Sequence, residues 1–108
     1  MDMFTRNNGK YVIVRGCTSG INAGYVVEQN QYGIVLSQAR RLWYHKPKDG
    51  GTSWYEGVAL SGLDKSSILS PVVSEKVIVE EYEVLLCTKE AEDSITQAKP
   101  HPQSGQAD

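Results

Sequence analysis

The stretch that decides the fold is residues 25–44, which read YVVEQNQYGIVLSQARRLWY. Two runs rich in β-branched and aromatic residues, 25–28 and 34–37, flank the turn-forming segment NQYG at 30–33. This pattern predicts two antiparallel strands joined by a short hairpin connection. Residues 39–45 follow closely and read as another strand, or as a continuation of the second strand past a bulge.

More strands are predicted on both sides of this hairpin. Residues 10–15 (KYVIVR) form a first strand, and the glycine-bearing segment 16–24 is typical of a loop. The apolar runs within 72–79 and 82–86 predict two late strands. Short connections between neighbouring strands favour an antiparallel sheet.

One short helix is predicted between the early and late strands. Ser53 and Glu56 match a capping box, in which the serine and the glutamate satisfy free backbone N–H groups at a helix start. Val58, Ala59 and Leu60 continue one apolar face, and Gly62 is expected to end the helix.

Together these elements predict a mainly β (α+β) fold. We expect a rolled antiparallel sheet or a small barrel-like domain of about six strands with one short helix. The globular domain is predicted over residues 1–88. Apolar content falls from Lys89 onward, which predicts a mostly disordered C-terminal tail over residues 89–108.

Bulk composition narrows the class of protein. The 108 residues are 40% hydrophobic and 22% charged, which is typical of a globular chain, and the net charge is −2. General nucleic-acid binding usually requires a basic excess, so we do not expect it.

No metal, cofactor or membrane role is predicted. Cys17 and Cys87 stand in no metal-ligand pattern, and His45 and His101 are isolated. The polar residues 1–8 hold no secretory signal, and the apolar runs are far shorter than the roughly 20 residues that a membrane helix needs. We therefore expect a cytoplasmic protein with two reduced thiols.

The densest functional candidate is the segment 40–44. Strand alternation puts Arg41 and Trp43 on one side, and Arg40 and Tyr44 on the other. An arginine can bind phosphate while an aromatic ring stacks on a base, so the pattern predicts a site for a planar, anionic ligand. Which arginine faces the ligand is left open. The alternative is a strand with one packed aromatic face and two arginines whose stems cover apolar surface.

Two further segments could complete such a site. The loop 16–24 could bind an anion through its backbone amides, although an ordinary connection between strands is the alternative. Trp54 lies at the start of the predicted helix, where a negative ligand is favoured. The alternative is that its side chain packs over the sheet or in a subunit interface. The predicted ligand-binding residues are Arg40, Arg41, Trp43, Tyr44, Trp54, Ser19, Gly20 and Asn22.

The sequence holds no recognisable catalytic motif, so we predict a protein that is not an enzyme. The nucleophile motif G-x-S-x-G is absent, and the late acidic residues are typical of a solvated strand face. Only Glu75, Glu81 and His45 could supply acid–base groups if the protein acted on a nucleotide.

Four segments, taken in order, carry a family resemblance. They are YVIVR at 11–15, SG and AG within 19–24, ARRLWY at 39–44 and LLCT at 85–88. Over about residues 10–95 the chain resembles a family of small phage and prophage domains of unknown function. The resemblance implies a phage setting, where small, acidic, β-rich homo-oligomers include proteins that sequester host immune nucleotide signals without cleaving them.

The leading hypothesis is therefore a phage-encoded binding protein in the host cytoplasm. It would sequester a cyclic nucleotide or an ADP-ribose derivative and so counteract host defence. We expect a homo-oligomer, because six tyrosines and two tryptophans in so small a chain favour burial between subunits. The alternative is a protein-interaction module that inhibits a host protein or serves in virion assembly.

Overall fold

The computed structural model describes residues 2–44, 47–48 and 54–100, with the backbone alone at residue 44. Along the described chain the elements are β1 (Tyr11–Gly16), β2 (Gly20–Asn30), β3 (Gly33–Tyr44), α1 (Trp54–Ser61), β4 (Ile68–Leu69), β5 (Val73–Ile78), β6 (Tyr82–Leu86) and α2 (Lys89–Gln97). Neither helix in these residues is long and apolar enough to cross a membrane.

The six strands form one antiparallel sheet in the order β4-β3-β2-β1-β6, with β5 also paired to β3. Strand β3 holds two partners along one edge: residues 34–39 pair with β5, whereas Leu42 and Tyr44 pair with β4. The six-stranded antiparallel fold is therefore confirmed. The barrel-like alternative is not, because no pairing among the described strands closes the sheet.

The β2–β3 hairpin bends over the rest of the sheet. Its ladder shifts register twice between residues 23 and 28, and Gln38 has a φ of 50°. Such bulges bend and twist a strand. The hairpin tip consequently returns to the distant strand β6, where the Tyr82 hydroxyl donates to the Asn30 carbonyl oxygen at 2.7 Å. The sheet is thus rolled, with an inner face inside the bend and an outer face.

The two helices cover the outer face. Tyr11 and Ile13 of β1 point to this side and pack with Val58 of α1 and Ile95 of α2 in one buried cluster. Burying a side chain such as Ile95 contributes about 1.5–3 kcal/mol, so α2 is a substantial part of this core.

The inner face is buried by the roll itself. Val12 and Val14 alternate with the outer-face residues and pack with Leu36 of β3 and Ile78 of β5. No helix belongs to this cluster in the described part of the chain, so its burial depends on the hairpin and β5 bending across β1.

Helix α1 ends where the sequence predicts. Gly62 follows its last residue with a φ of 95°, in the left-handed region that favours glycine, and its N–H donates to the Val58 carbonyl oxygen at 2.9 Å. The predicted cap, Ser53, lies outside the described residues.

The predicted loop over residues 16–24 is too long. Strand β1 ends at Gly16 and β2 begins at Gly20, so only residues 17–19 form the turn. Gly24 is a strand residue, and a Cβ there would lie 2.9 Å from the Ser37 carbonyl oxygen. This glycine marks a close approach between two strands, which composition alone made look like a loop.

The prediction of a disordered tail from Lys89 is wrong for residues 89–97, which form α2. The Thr88 side chain caps this helix by accepting from the Ala91 N–H at 3.1 Å. Ala91 and Ile95, one turn apart, are its buried residues. Two apolar side chains at this spacing are enough to dock the helix, although they barely alter the composition. Residues 101–108 lie outside the described residues.

Candidate functional site

Four of the eight predicted site residues meet at one end of the inner face. Arg41 of β3 lies opposite Asn22 of β2, and Ser19 and Gly20 stand where the β1–β2 turn enters β2. Leu42 packs into the outer-face cluster, so alternation puts Arg41 on the inner face. A fifth residue joins them from β5, and we call the group the cationic cluster: Ser19, Gly20, Asn22, Arg41 and Lys76.

Gly20 makes room for the Arg41 guanidinium. A Cβ at Gly20 would lie 2.9 Å from Nη2 and 3.3 Å from Nε of Arg41, and the φ of Gly20 is 76°. A larger residue would therefore both strain the turn and displace the guanidinium. The Arg41 side chain is exposed and makes no ion pair with any other described residue.

Lys76 is the member of the cluster that sequence reasoning missed. Its Nζ donates to Asn22 Oδ1 at 2.6 Å, and Asn22 Nδ2 in turn donates to the Ser19 carbonyl oxygen at 3.1 Å. Because Asn22 is fully buried, its amide positions the lysine instead of offering itself to a ligand. Burial lowers the pKa of Lys76, and the nearby charge of Arg41 lowers this pKa further.

A signal for Lys76 was present in the strand 73–78. Alternation puts Lys76 on the same side as the buried Ile78, whereas Val77 is on the other side and more than half exposed. A lysine at a core-facing position of a strand is unusual and could have pointed to a site.

The amides of the β1–β2 turn are not available to a ligand as predicted. The N–H groups of Thr18 and Ser19 donate to the Glu80 carboxylate at 2.6 and 3.1 Å. These hydrogen bonds, led by that from Thr18, lower the pKa of Glu80. The turn does bind an anion, as the sequence suggested, but that anion is the protein's own carboxylate.

The predicted aromatic residues divide between several places. Trp43 lies two positions after Arg41, at a register shift of the β3–β4 ladder, and its side chain is 58% exposed. Trp54 lies in the first turn of α1, the helix that packs on the outer face, and it does not join the cationic cluster. The Tyr44 side chain lies outside the described residues.

Arg40 lies apart from the cationic cluster. It is 2% exposed and lies on the outer side, where Nη1 donates to the carbonyl oxygens of Ile95 and Ala98, both at 2.8 Å. Its Nε and Nη2 donate to the Ser70 carbonyl oxygen at 3.1 and 2.9 Å. Arg40 therefore holds the C-terminal end of α2 against the sheet, and its positive charge is favoured beside the helix C-terminus.

Two cavities lie away from the cationic cluster. One, of about 750 Å³, opens between the N-terminal segment, the hairpin tip and β6, and its walls include Arg6, Glu81 and Leu86. The other, of about 300 Å³, lies on the outer face beside Tyr11 and Arg40. Arg40 is the only predicted site residue that lines either of these two cavities.

Of the three acid–base residues named from the sequence, the structure describes two, and they lie on different parts of the molecule. Glu75 is exposed on β5, Glu81 lines the larger cavity, and His45 lies outside the described residues. Within the described ranges no three His, Cys, Asp or Glu side chains form a group that could hold a metal ion.

The two cysteines are separate free thiols. Cys17 is exposed in the turn, whereas Cys87 is half-buried and burial raises its pKa to about 12. A thiol with so high a pKa is protonated at neutral pH, and it is therefore a poor nucleophile.

Comparison with known proteins identifies the family of this chain but gives no function. A family model described as "Domain of unknown function (DUF6948)" matches residues 9–95, so the chain belongs to that family. The match includes α2 up to Ile95 and the whole cationic cluster. No curated protein and no solved structure matches the chain.

Proposed function

We propose that this member of the DUF6948 family binds a small phosphate-bearing ligand at the cationic cluster and does not transform it chemically. The observation that carries the proposal is that Lys76 donates to Asn22, the residue paired with Arg41 in the β2–β3 ladder, and that neither cation has a carboxylate partner among the described residues. Two cations held side by side repel each other, so an anion bound between them would stabilise the fold.

The neighbouring aromatic residue supports a nucleotide as the ligand. Trp43 lies two positions after Arg41 in β3 and exposes more than half of its surface. An indole in this position can stack on a nucleobase while the guanidinium binds the phosphate. The cationic cluster itself contains no carboxylate, imidazole or thiol, so binding without turnover is the simplest use of its residues.

A finer version of the proposal concerns the biological setting. Within the host cytoplasm, a phage-encoded protein of this kind would sequester a cyclic nucleotide or an ADP-ribose derivative and so counteract host defence. The family resemblance in the sequence supports this version, and the anion site is compatible with it. Thermal-shift assays against both ligand classes test it, since ligand at about 100 times its Kd stabilises a protein by about 2.7 kcal/mol.

The binding site itself is tested by two matched arginine variants. Arg41→Gln removes the exposed cation of the cluster, whereas Arg6→Gln removes a cation from the wall of the 750 Å³ cavity. We expect Arg41→Gln to abolish the thermal shift and Arg6→Gln to retain it. The reverse result would indicate that the ligand binds in the larger cavity. The absence of a thermal shift with any phosphate-bearing nucleotide would refute the proposal.

A second candidate function is protein interaction, and exposed apolar residues favour it. Tyr32, Val77 and Val79 are 71%, 57% and 74% exposed and line one shallow depression with Val35 at the hairpin tip and β5. Exposed apolar side chains that converge in this way are typical of a contact surface. Such a surface could also join copies of the chain into the homo-oligomer expected from the sequence.

Two measurements separate these roles. Light scattering gives the oligomeric state of the wild-type protein and of Val79→Lys, which would disrupt a self-contact through this surface. Pull-down from a host lysate tests for a different protein partner. One stoichiometric partner that is lost in Val79→Lys and retained in Arg41→Gln would favour the interaction role.

A further inference from the structure

We infer that the cationic cluster selects ligands with two negative charges on one terminal phosphate or on one pyrophosphate, and discriminates against a single phosphodiester. The inference rests on the proposed function and names the class of ligand for the same site. It follows from the number of cations without an ion-pair partner, from the hydrogen bond that places Lys76, and from the occupation of the turn amides by Glu80.

The placement of Lys76 is the first step. Its ammonium donates to Asn22 Oδ1 at 2.6 Å, and Asn22 is fully buried and held by the Ser19 carbonyl oxygen. An ammonium has three N–H donors, and only this one is used among the described residues. Lys76 is therefore fixed in place with donors left over for a ligand.

The placement of Arg41 is the second step. Its guanidinium lies against Gly20, and its side-chain nitrogens make no hydrogen bond to any other described residue. A guanidinium offers five N–H donors in a planar fork that matches two oxygens of one phosphate. Asn22, to which Lys76 donates, is the partner of Arg41 in the β2–β3 ladder, so the two cations lie on the same side of the sheet around one buried amide.

The charge balance then favours two negative charges. A cyclic mononucleotide brings one, which leaves one of the two cations unneutralised, whereas a terminal phosphate above its second pKa of about 6 brings nearly two. Glu80 already accepts the turn amides of Thr18 and Ser19. A phosphate at this site must therefore be held by side-chain charge, and the affinity should follow the charge of the ligand.

The test compares four adenosine compounds with the full-length protein by calorimetry at one salt concentration, since screening changes such affinities. At about pH 7.5, AMP carries two charges on a terminal phosphate, ADP-ribose two on a pyrophosphate, cyclic AMP one and adenosine none. We expect AMP, ADP-ribose or both to bind about tenfold more tightly than cyclic AMP, which corresponds to about 1.4 kcal/mol. Adenosine should bind most weakly.

Variants at Lys76 show whether the discrimination comes from this residue. Lys76→Gln should bring the affinity for the doubly charged compounds down to that for cyclic AMP, whereas Lys76→Arg should keep the preference. Lys10→Gln, an exposed lysine before β1, is the matched control and should behave as the wild type. Circular dichroism of each variant confirms that the fold is retained.

The possible outcomes separate this inference from the proposal on which it rests. Equal affinity for cyclic AMP and AMP, or a preference for cyclic AMP, overturns the inference and leaves phosphate binding intact. A preference that survives in Lys76→Gln also overturns it. If no phosphate-bearing compound binds, the proposed function fails and the inference fails with it. Tight binding of only AMP or only ADP-ribose identifies the phosphate group that is recognised.

Discussion

Arg40 and Arg41 are adjacent in β3, yet they belong to two different regions of the molecule. Arg40 is buried under α2 and donates to the carbonyl oxygens of Ser70, Ile95 and Ala98. Arg41 is exposed at the end of the inner face, lies against Gly20 and has no ion-pair partner in the described part of the chain. One arginine completes the fold, whereas the other remains available to a ligand.

The different surroundings of Arg40 and Arg41 predict which of the two contributes to stability and which to ligand binding. A buried guanidinium whose donors are satisfied by carbonyl oxygens holds elements together, and its loss removes these hydrogen bonds from a buried site. An exposed guanidinium beside a second cation adds little stability and is suited to an anion. Substitutions at the two positions should consequently change different measurements.

The largest loss of stability is expected when α2, the helix that covers Arg40, is removed. Truncation after Thr88 deletes α2, with the buried Ala91 and Ile95, and leaves Arg40 without two of its acceptors. We expect a loss of about 5 kcal/mol or more, comparable with the whole stability of a small domain. Urea denaturation measures it. Truncation after Pro100, which keeps α2, is the control, and equal stability of the two would show that α2 is dispensable.

The arginine pair itself is compared directly by Arg40→Met and Arg41→Met. The first should lower the free energy of unfolding by about 3 kcal/mol, because a buried donor set is lost and three carbonyl groups lose partners. The second should change it by less than about 0.5 kcal/mol, as is usual for an exposed site. Chemical denaturation measures the free energy of unfolding of both variants. Similar losses in the two variants would contradict the prediction.

A smaller loss of stability is expected at the bulge that precedes the two arginines in β3. Gln38 has a φ of 50°, in the left-handed region, which a β-branched residue tolerates poorly. Gln38→Val should therefore lower stability by about 1–2 kcal/mol, whereas Gln38→Gly should be neutral or slightly stabilising. Thermal unfolding of the two variants checks the order, and a more stable valine variant would contradict it.

The smallest effect concerns the Glu80 carboxylate, which accepts the amides of the β1–β2 turn. The pKa of Glu80 is lowered from 4.5, chiefly by the Thr18 N–H, so its hydrogen bonds add stability above that pH and lose it as the pH falls through the lowered pKa. Glu80→Gln should therefore have a lower Tm than the wild type at neutral pH. The difference in Tm between the two proteins should become smaller as the pH is lowered. Glu81→Gln controls for the loss of one surface charge, and a difference that is constant with pH would contradict the assignment.

Much of the fold could be predicted because its strands have clear local patterns. The β-branched runs of β1, the NQYG turn of the hairpin and Gly62 after α1 all act within a few residues. Helix α2 was missed because its docking depends on two apolar side chains, Ala91 and Ile95, whose partners lie far along the chain. The predicted loop 16–24 failed for a similar reason, since a glycine in a close strand contact resembles a glycine in a turn.

The candidate site was predicted in part. Arg41, Ser19, Gly20 and Asn22 come together, whereas Arg40 lies on the opposite face and Lys76 was not foreseen. Strand alternation predicted that the two arginines would separate, but it could not assign the faces.

The sequence by itself determined the strands, the hairpin turn and the fact that Arg40 and Arg41 point to opposite sides, because these follow from local patterns. Only the tertiary structure decided which arginine is buried. The bulge at Gln38 shifts the alternation of β3 by one residue, and such a shift exchanges the two faces of a strand. The structure also brings Lys76 to Asn22, 54 positions away in the sequence, and no local pattern specifies a contact at that separation.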